Sequence, residues 1–422
     1  MSPSPAQAPT RSAERVATTW PRRLLATLLP PTPQVRPLAL STALHTVGTG
    51  IIVTLSILYF TRIVGLSTAQ VGVGLTAAGG IGLCAGIPLG RLADRFGPRG
   101  VLIIMLCCQA SAIMLHIWVT TLGGFLAVTA LLAFANEGAT AVRSAMIARS
   151  FASSERITAR AYLRAITNLG FAVGTSLASI PLTSTDPAPY RVLIAVSAVC
   201  FLAAAGAMLR TPAVAVLPTA RAVSPWRALR DAPFLAVTAC NAVLQLHYAV
   251  LEIGIPLWVA EHTDAPPSTI SVLFVLNTAF VLVFQVPVGR RWGSLRHAGR
   301  ATAVAGVLVA LACLLLGLAG DLVGVSTLVV LITAGAVHAT GEILHTTGSW
   351  AAGFDLAPDD AQGQYQGLYS TGMAMAQMLG PAFVTTVILA NGDMGWVTAA
   401  GTFALAGLCM SVVIQLASTR KL

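Results

Sequence analysis

About twelve apolar stretches recur along this 422-residue chain, each near the 20 residues that a helix needs to cross a bilayer, with short polar breaks between them. They cover roughly 38–61, 66–90, 101–121, 123–148, 161–182, 191–210, 233–260, 268–289, 301–320, 323–350, 365–390 and 395–417. With 56% hydrophobic residues, 9% charged residues and a mean hydropathy of +0.80, the chain has too little charge to solvate a water-soluble fold of this size. Lipid offers the backbone no hydrogen bonds, so the expected class is an all-α integral membrane protein.

Charge placement sets the expected topology. Of 25 basic residues, 22 fall before the first stretch, at 91–99, 149–164, 210–230 and 290–300, and at Arg420 with Lys421; Arg62, Arg143 and Arg191 stand elsewhere. This asymmetry puts those segments and both termini on the cytoplasmic side of a cell inner membrane. The exception is 351–364, which carries Asp355, Asp359 and Asp360 and no base. Topology thus explains the net charge of +10, and no nucleic-acid partner is implied. Residues 1–37, rich in Pro, Ser, Ala and Arg, read as a disordered cytoplasmic tail without a signal peptide. The expected division continues with a six-helix bundle at 38–210, a cytoplasmic linker at 211–232, a second six-helix bundle at 233–417 and a tail at 418–422. Pro88-Leu89-Gly90-Arg91 closes the second stretch and Pro287-Val288-Gly289-Arg290 the eighth, as a parallel repeat would have it, with Gly293 in place of Asp94 in the second copy.

Between the second and third stretches lies a polar island, Gly90-Arg91-Leu92-Ala93-Asp94-Arg95-Phe96-Gly97-Pro98-Arg99. One acid and three arginines are too costly to leave in lipid, so a tight turn at the membrane surface is expected. The pattern resembles the signature loop between helices 2 and 3 of the major facilitator superfamily of secondary transporters, a resemblance that spans essentially the whole membrane region. It implies twelve transmembrane helices in two pseudo-symmetric six-helix bundles, with Gly90, Arg91, Asp94, Arg95, Gly97 and Arg99 as a gating element. By that resemblance Asp94 pairs near the start of a second-half helix when the transporter faces outward, Gly90 and Gly97 permit the turn, and Arg95 and Arg99 face the cytoplasmic ends. Within the superfamily the chain resembles, in part, the proton-coupled drug exporters. Gly170-Phe171-Ala172-Val173-Gly174 matches their Gly-rich fifth helix, but Thr175 stands where they carry Pro, Gly380-Pro381 falls in the eleventh helix, and Phe134 takes the place of their fourth-helix arginine.

Polar groups inside the apolar stretches mark the interior, because each must find a partner, water or a proton. Glu137 sits near the middle of helix 4 beside Asn136, with Arg143 nearer the basic end. Asn241, Gln245, Tyr248 and Glu252 share one face of helix 7, with His247 beside them, and Ser41, His45 and Thr49 are a weaker echo in helix 1. Helix 10 carries His338, Glu342 and His345 at i, i+4 and i+7, helix 5 offers Arg164 and Asn168, and helix 11 offers Tyr365, Gln366, Tyr369 and Gln377. The helix 10 triplet has the ligand types of a metal site, but proton exchange is the expected use and no metal is assigned. The seven cysteines all lie in apolar stretches without metal-ligand spacing and are expected as free thiols.

The expected function is secondary active transport of a small amphipathic or cationic organic molecule by alternating access, as proton-coupled efflux. Glu137, Glu342 and His338 are the expected proton-coupling groups, with Glu137 first, and Asn241, Gln245, Tyr248, Glu252, Asn168 and Tyr369 the expected substrate contacts. An organic-anion site would need buried bases beyond Arg143. Alternatives are a proton-coupled metabolite importer and a non-transporting membrane receptor or assembly factor. No nucleophile-base set or nucleotide motif points to an enzyme, and no cofactor is implied. The expected partners are substrate, protons and the lipid bilayer, around a monomer.

Overall fold

The computed structural model describes residues 35–183, 186–212, 224 and 226–419. Residues 1–34 of the expected N-terminal tail, 213–223 of the expected linker and 420–422 of the expected C-terminal tail lie outside the described residues.

The described residues form twelve consecutive helical stretches. The first six are α1 (Val35–Ile63), α2 (Thr68–Leu83 and Gly86–Phe96), α3 (Pro98–Leu115), α4 (Leu122–Ser150), α5 (Ser153–Ala178) and α6 (Pro187–Met208). After a short helix at Arg227–Arg230 come α7 (Ala232–His262), α8 (Ser268–Trp292), α9 (Leu295–Ala319), α10 (Val325–Asp355), α11 (Gln362–Ala382) and α12 (Gly392–Thr419). Nine stretches, or ten with the bent α2, are long and apolar enough to cross a membrane; α11 and α12 count there as one, and α5 is too polar to qualify. Val73, Ile104, Leu131, Val275 and Leu405 are exposed along these helices, an apolar outer surface that suits lipid.

Small residues draw the helices together. Gly50 of α1 meets the backbone of α5 at Gly174, and Gly306 of α9 meets Gly407 of α12. Ser197 of α6 donates to the Gly48 carbonyl of α1 at 2.8 Å.

Two sequence expectations are corrected here. The polar island is not a turn: α2 stays helical to Phe96, and only Gly97, at φ 92°, turns the chain before Pro98 opens α3. Helix satisfies the backbone, and periodicity sorts the side chains, with Arg91 and Arg95 exposed while Ala93 and Asp94 are buried. Gly90 therefore serves packing and not the turn. Helix 5 begins at Ser153 and not near 161, because its early arginines find partners inside the protein.

Candidate functional site

The two halves of the chain meet closely at the Asp94 end. There α2 and α11 cross with glycine facing glycine: a Cβ on Gly90 would collide with the Gly363 carbonyl, one on Gly363 with the Gly90 carbonyl, and the same holds for Gly86 and Gly367. One turn deeper Thr371 Oγ1 donates to the Leu83 carbonyl at 3.4 Å. One turn shallower Asp94 accepts the backbone N–H groups of Gly363 (2.8 Å) and Gln364 (2.9 Å) at the start of α11. A carboxylate there satisfies two orphan donors and meets the positive end of the helix. Arg149 of α4 holds the same carboxylate at 2.6 Å. Of the other polar-island residues, Arg99 donates to the Met208 and Leu209 carbonyls at the end of α6 (3.2 and 2.6 Å), Arg95 lies over Phe96, and Arg91 is exposed. On the far side of the seam the end of α8 packs on α5, Gly289 and Gly293 facing Ile157.

Deeper in, α5 and α10 are laced together. Arg156, Arg160 and Arg164 repeat at four-residue spacing on one face of α5. Arg156 reaches Asp355 at 3.7 Å, Arg160 stands 5.5 Å from the Trp350 ring centroid, and Arg164 is ion-paired with Glu342, whose side chain is 1% exposed. Tyr248 of α7 lies beneath the Arg164 guanidinium, whose Cζ is 5.5 Å from the ring centroid. A charge pair bridging the halves at this depth is weak evidence for stability, yet costly to break one-sidedly. Asp360 likewise takes Arg227, so two of the three acids in 351–364 are matched to bases.

Behind Tyr248 a histidine chain fills the second half. His345 Nε2 is 3.1 Å from Asn241 Oδ1, His345 Nδ1 is 3.1 Å from His247 Nε2, and His338 Nε2 is 3.2 Å from the His247 carbonyl. With Asn241 accepting, neutral rings must all donate in one direction, which leaves His247 Nδ1 as an acceptor without a partner.

Accessibility rises along the interior away from Asp94. On α7, Asn241 and Gln245 are buried, Tyr248 is half-buried and Glu252, in a π-turn, is exposed; on α5, Asn168 is exposed, and on α11, Tyr369 is buried while Gln377 is exposed. Tyr369 donates to the Ser349 carbonyl at 2.9 Å. Glu137 is half-buried, next to Asn136 in sequence and packed on Gly82 of α2. It shares a helix face with Thr140 and Ser144, which line a cavity of about 10 Å³ together with Arg160, Trp350, Gln366 and Ser370. The sequence spacing thus found the α7 and α10 faces, whereas Arg160, placed among the surface bases, turns inward. All seven cysteines are free.

A profile of the Major Facilitator Superfamily matches residues 38–381 and 237–421. No curated relative matches the chain. Among solved structures, a bacterial homologue of the iron transporter ferroportin in an outward-facing state is similar over 92% of this chain and 100% of its own, with a TM-score of 0.75 at 14% identity. The human organic anion transporter MFSD10 (TETRAN) is similar over 90% of this chain and 100% of its own, with a TM-score of 0.67 at 15% identity.

Proposed function

The chain belongs to the major facilitator superfamily, a multi-pass membrane transporter and not an enzyme, and on that premise we propose that it exports a small amphipathic organic molecule by proton-coupled alternating access. The Arg164–Glu342 pair carries the proposal, because it bridges the halves where they would have to separate for the Asp94 end to open. Opening it leaves Arg164 and Glu342 each without the other. A proton taken up by Glu342 from the opposite side removes its charge and frees Arg164; at the Asp94 side an incoming substrate group meets Arg164 as Glu342 gives that proton up, so the two are exchanged. Glu342 is therefore our first choice for the coupling group, with Glu137 second and His338 as a neighbour one turn away. Asn241, Gln245, Tyr248, Glu252, Asn168 and Tyr369 are the proposed substrate surface. The Asp94 end is taken as cytoplasmic on the bias of its arginines, in a cell inner membrane, with the protein acting as a monomer of two six-helix bundles.

The test is purified protein in liposomes with a pH gradient imposed in either direction, screened with cationic, neutral and anionic amphipathic compounds. Uphill movement of a compound towards the more acidic side supports proton-coupled export. Movement only along a compound's own gradient rejects proton coupling, and no movement of any compound favours the receptor alternative.

A further inference from the structure

The middle rung of the α5 ladder lacks a counter-charge. Arg156 and Arg164 each face a carboxylate, but the contacts of Arg160 are the Trp350 ring and Ser144 Oγ, to which its Nη1 donates at 2.8 Å. Behind it on α4 stands Arg143, whose Nε and Nη2 are sealed from solvent and make no hydrogen bond. Arg143 lies in the field of Arg160, and Arg160 in that of Arg164, whose carboxylate partner is Glu342; no carboxylate among the described residues pairs with Arg143 or Arg160. Two like charges held inside a membrane protein without an acid are unfavourable unless water or an anion joins them.

From this we infer that the transported molecule carries a single anionic group, a carboxylate or sulfonate, and that Arg160, supported by Arg143, receives it. The inference rests on the transport function proposed above and deepens it by fixing the charge class of the substrate. The cavity beside Arg160 supplies the rest of the site: Ser144 offers a hydroxyl, Thr140 and Ser370 offer theirs on turning from the Asn136 and Gly367 carbonyls, and Trp350, Phe354 and Met373 offer apolar surface for an organic body. Its present volume of about 10 Å³ holds about one water, so the anion enters when the seam at the Asp94 end separates. That order suits loading from the Asp94 side. The acids Glu252 and Glu137 do not reverse the preference: Glu252 is exposed, where charges interact more weakly, and Glu137, half-buried like the two arginines, makes no ion pair with either among the described residues.

The experiment compares binding of naphthalene-2-sulfonate, 2-naphthylmethylammonium and 2-naphthalenemethanol to the purified protein in lipid nanodiscs. The expected result is a preference for the sulfonate of tenfold or more, lost by roughly tenfold to a hundredfold in Arg160→Gln and Arg143→Gln and partly kept in Arg160→Lys. Both Gln variants should match or exceed the wild-type melting temperature, since each removes an uncompensated charge; whichever folds supplies the comparison. A preference for the ammonium, equal binding of the three, no binding, or a sulfonate preference that survives both Gln variants overturns the inference. Counterflow in liposomes separates this from the transport function. A sulfonate that binds without crossing rejects transport and keeps the site, whereas an ammonium carried in place of the sulfonate keeps transport and rejects the site.

Discussion

Asp94→Asn should open the Asp94 end, and the structure sets the size of the effect. In the wild type Oδ1 accepts both the Gly363 N–H and Arg149, and Oδ2 accepts the Gln364 N–H. Asparagine keeps one oxygen. Its better orientation holds Gly363 and Arg149 and turns its NH2 towards the Gln364 N–H, where a hydrogen bond is lost. Arg149 belongs to the same half as Asp94, so the loss of its counter-charge is felt in both conformations and does not bias them. What remains is one charge-assisted bond, about 1.5–3 kcal/mol, and the interaction of the charge with the α11 terminus, about 0.3–1 kcal/mol. A total of about 2–4 kcal/mol shifts the closed-to-open ratio by roughly 30- to 1,000-fold. Ser370, buried and lining the cavity, is a suitable reporter because its hydroxyl bonds only within its own helix. In a background without native cysteines, labelling of Ser370→Cys by an impermeant maleimide from the Asp94 side should rise at least tenfold, and labelling of Gln377→Cys from the opposite side should fall. Unchanged rates in a folded Asp94→Asn protein would refute the gating role.

Gly90→Ala should raise the same Ser370→Cys labelling without any change of charge, since the added methyl forces α2 off the Gly363 carbonyl; equal labelling to wild type would show that the crossing has slack. At the opposite end, the Gly324 N–H donates to Asp264 and holds its exposed carboxyl below the ordinary carboxylate range. A depressed folded pKa stabilises above the unfolded value of about 3.9 and loses that contribution as pH falls through the folded value. The melting-temperature difference between wild type and Asp264→Asn should therefore be constant above about pH 5 and shrink towards zero in acid; a difference independent of pH would refute it.

The helices were legible because apolar length is a local signal, and the Asp94 contact was legible only through the resemblance of the polar island to the signature loop of the superfamily. The ladder on α5 was not. Counting arginines by topology puts bases at the membrane surface, and that rule is blind to which face of a helix they occupy. The available signal was the four-residue spacing of Arg156, Arg160 and Arg164, which marks one face of a helix and begins it eight residues early. The same spacing in Gly86 and Gly90, and again in Gly363 and Gly367, announced two helices able to touch, but which helix each would meet is a property of the folded chain. Likewise the α7 and α10 faces could be read from periodicity, whereas the pairing of His247 with His345 and of Glu342 with Arg164 needed the tertiary structure.

The central claim is that a proton on Glu342 releases the latch to Arg164. Its most direct test is transport of a compound carried by the wild type, measured in liposomes for wild type, Glu342→Gln and Glu137→Gln, as exchange at equal pH and as accumulation driven by a pH gradient. Glu342→Gln should keep exchange and lose accumulation, while Glu137→Gln retains both in greater part. Accumulation by Glu342→Gln at the wild-type rate, or its loss in Glu137→Gln alone, would contradict the claim and move the proton path to α4.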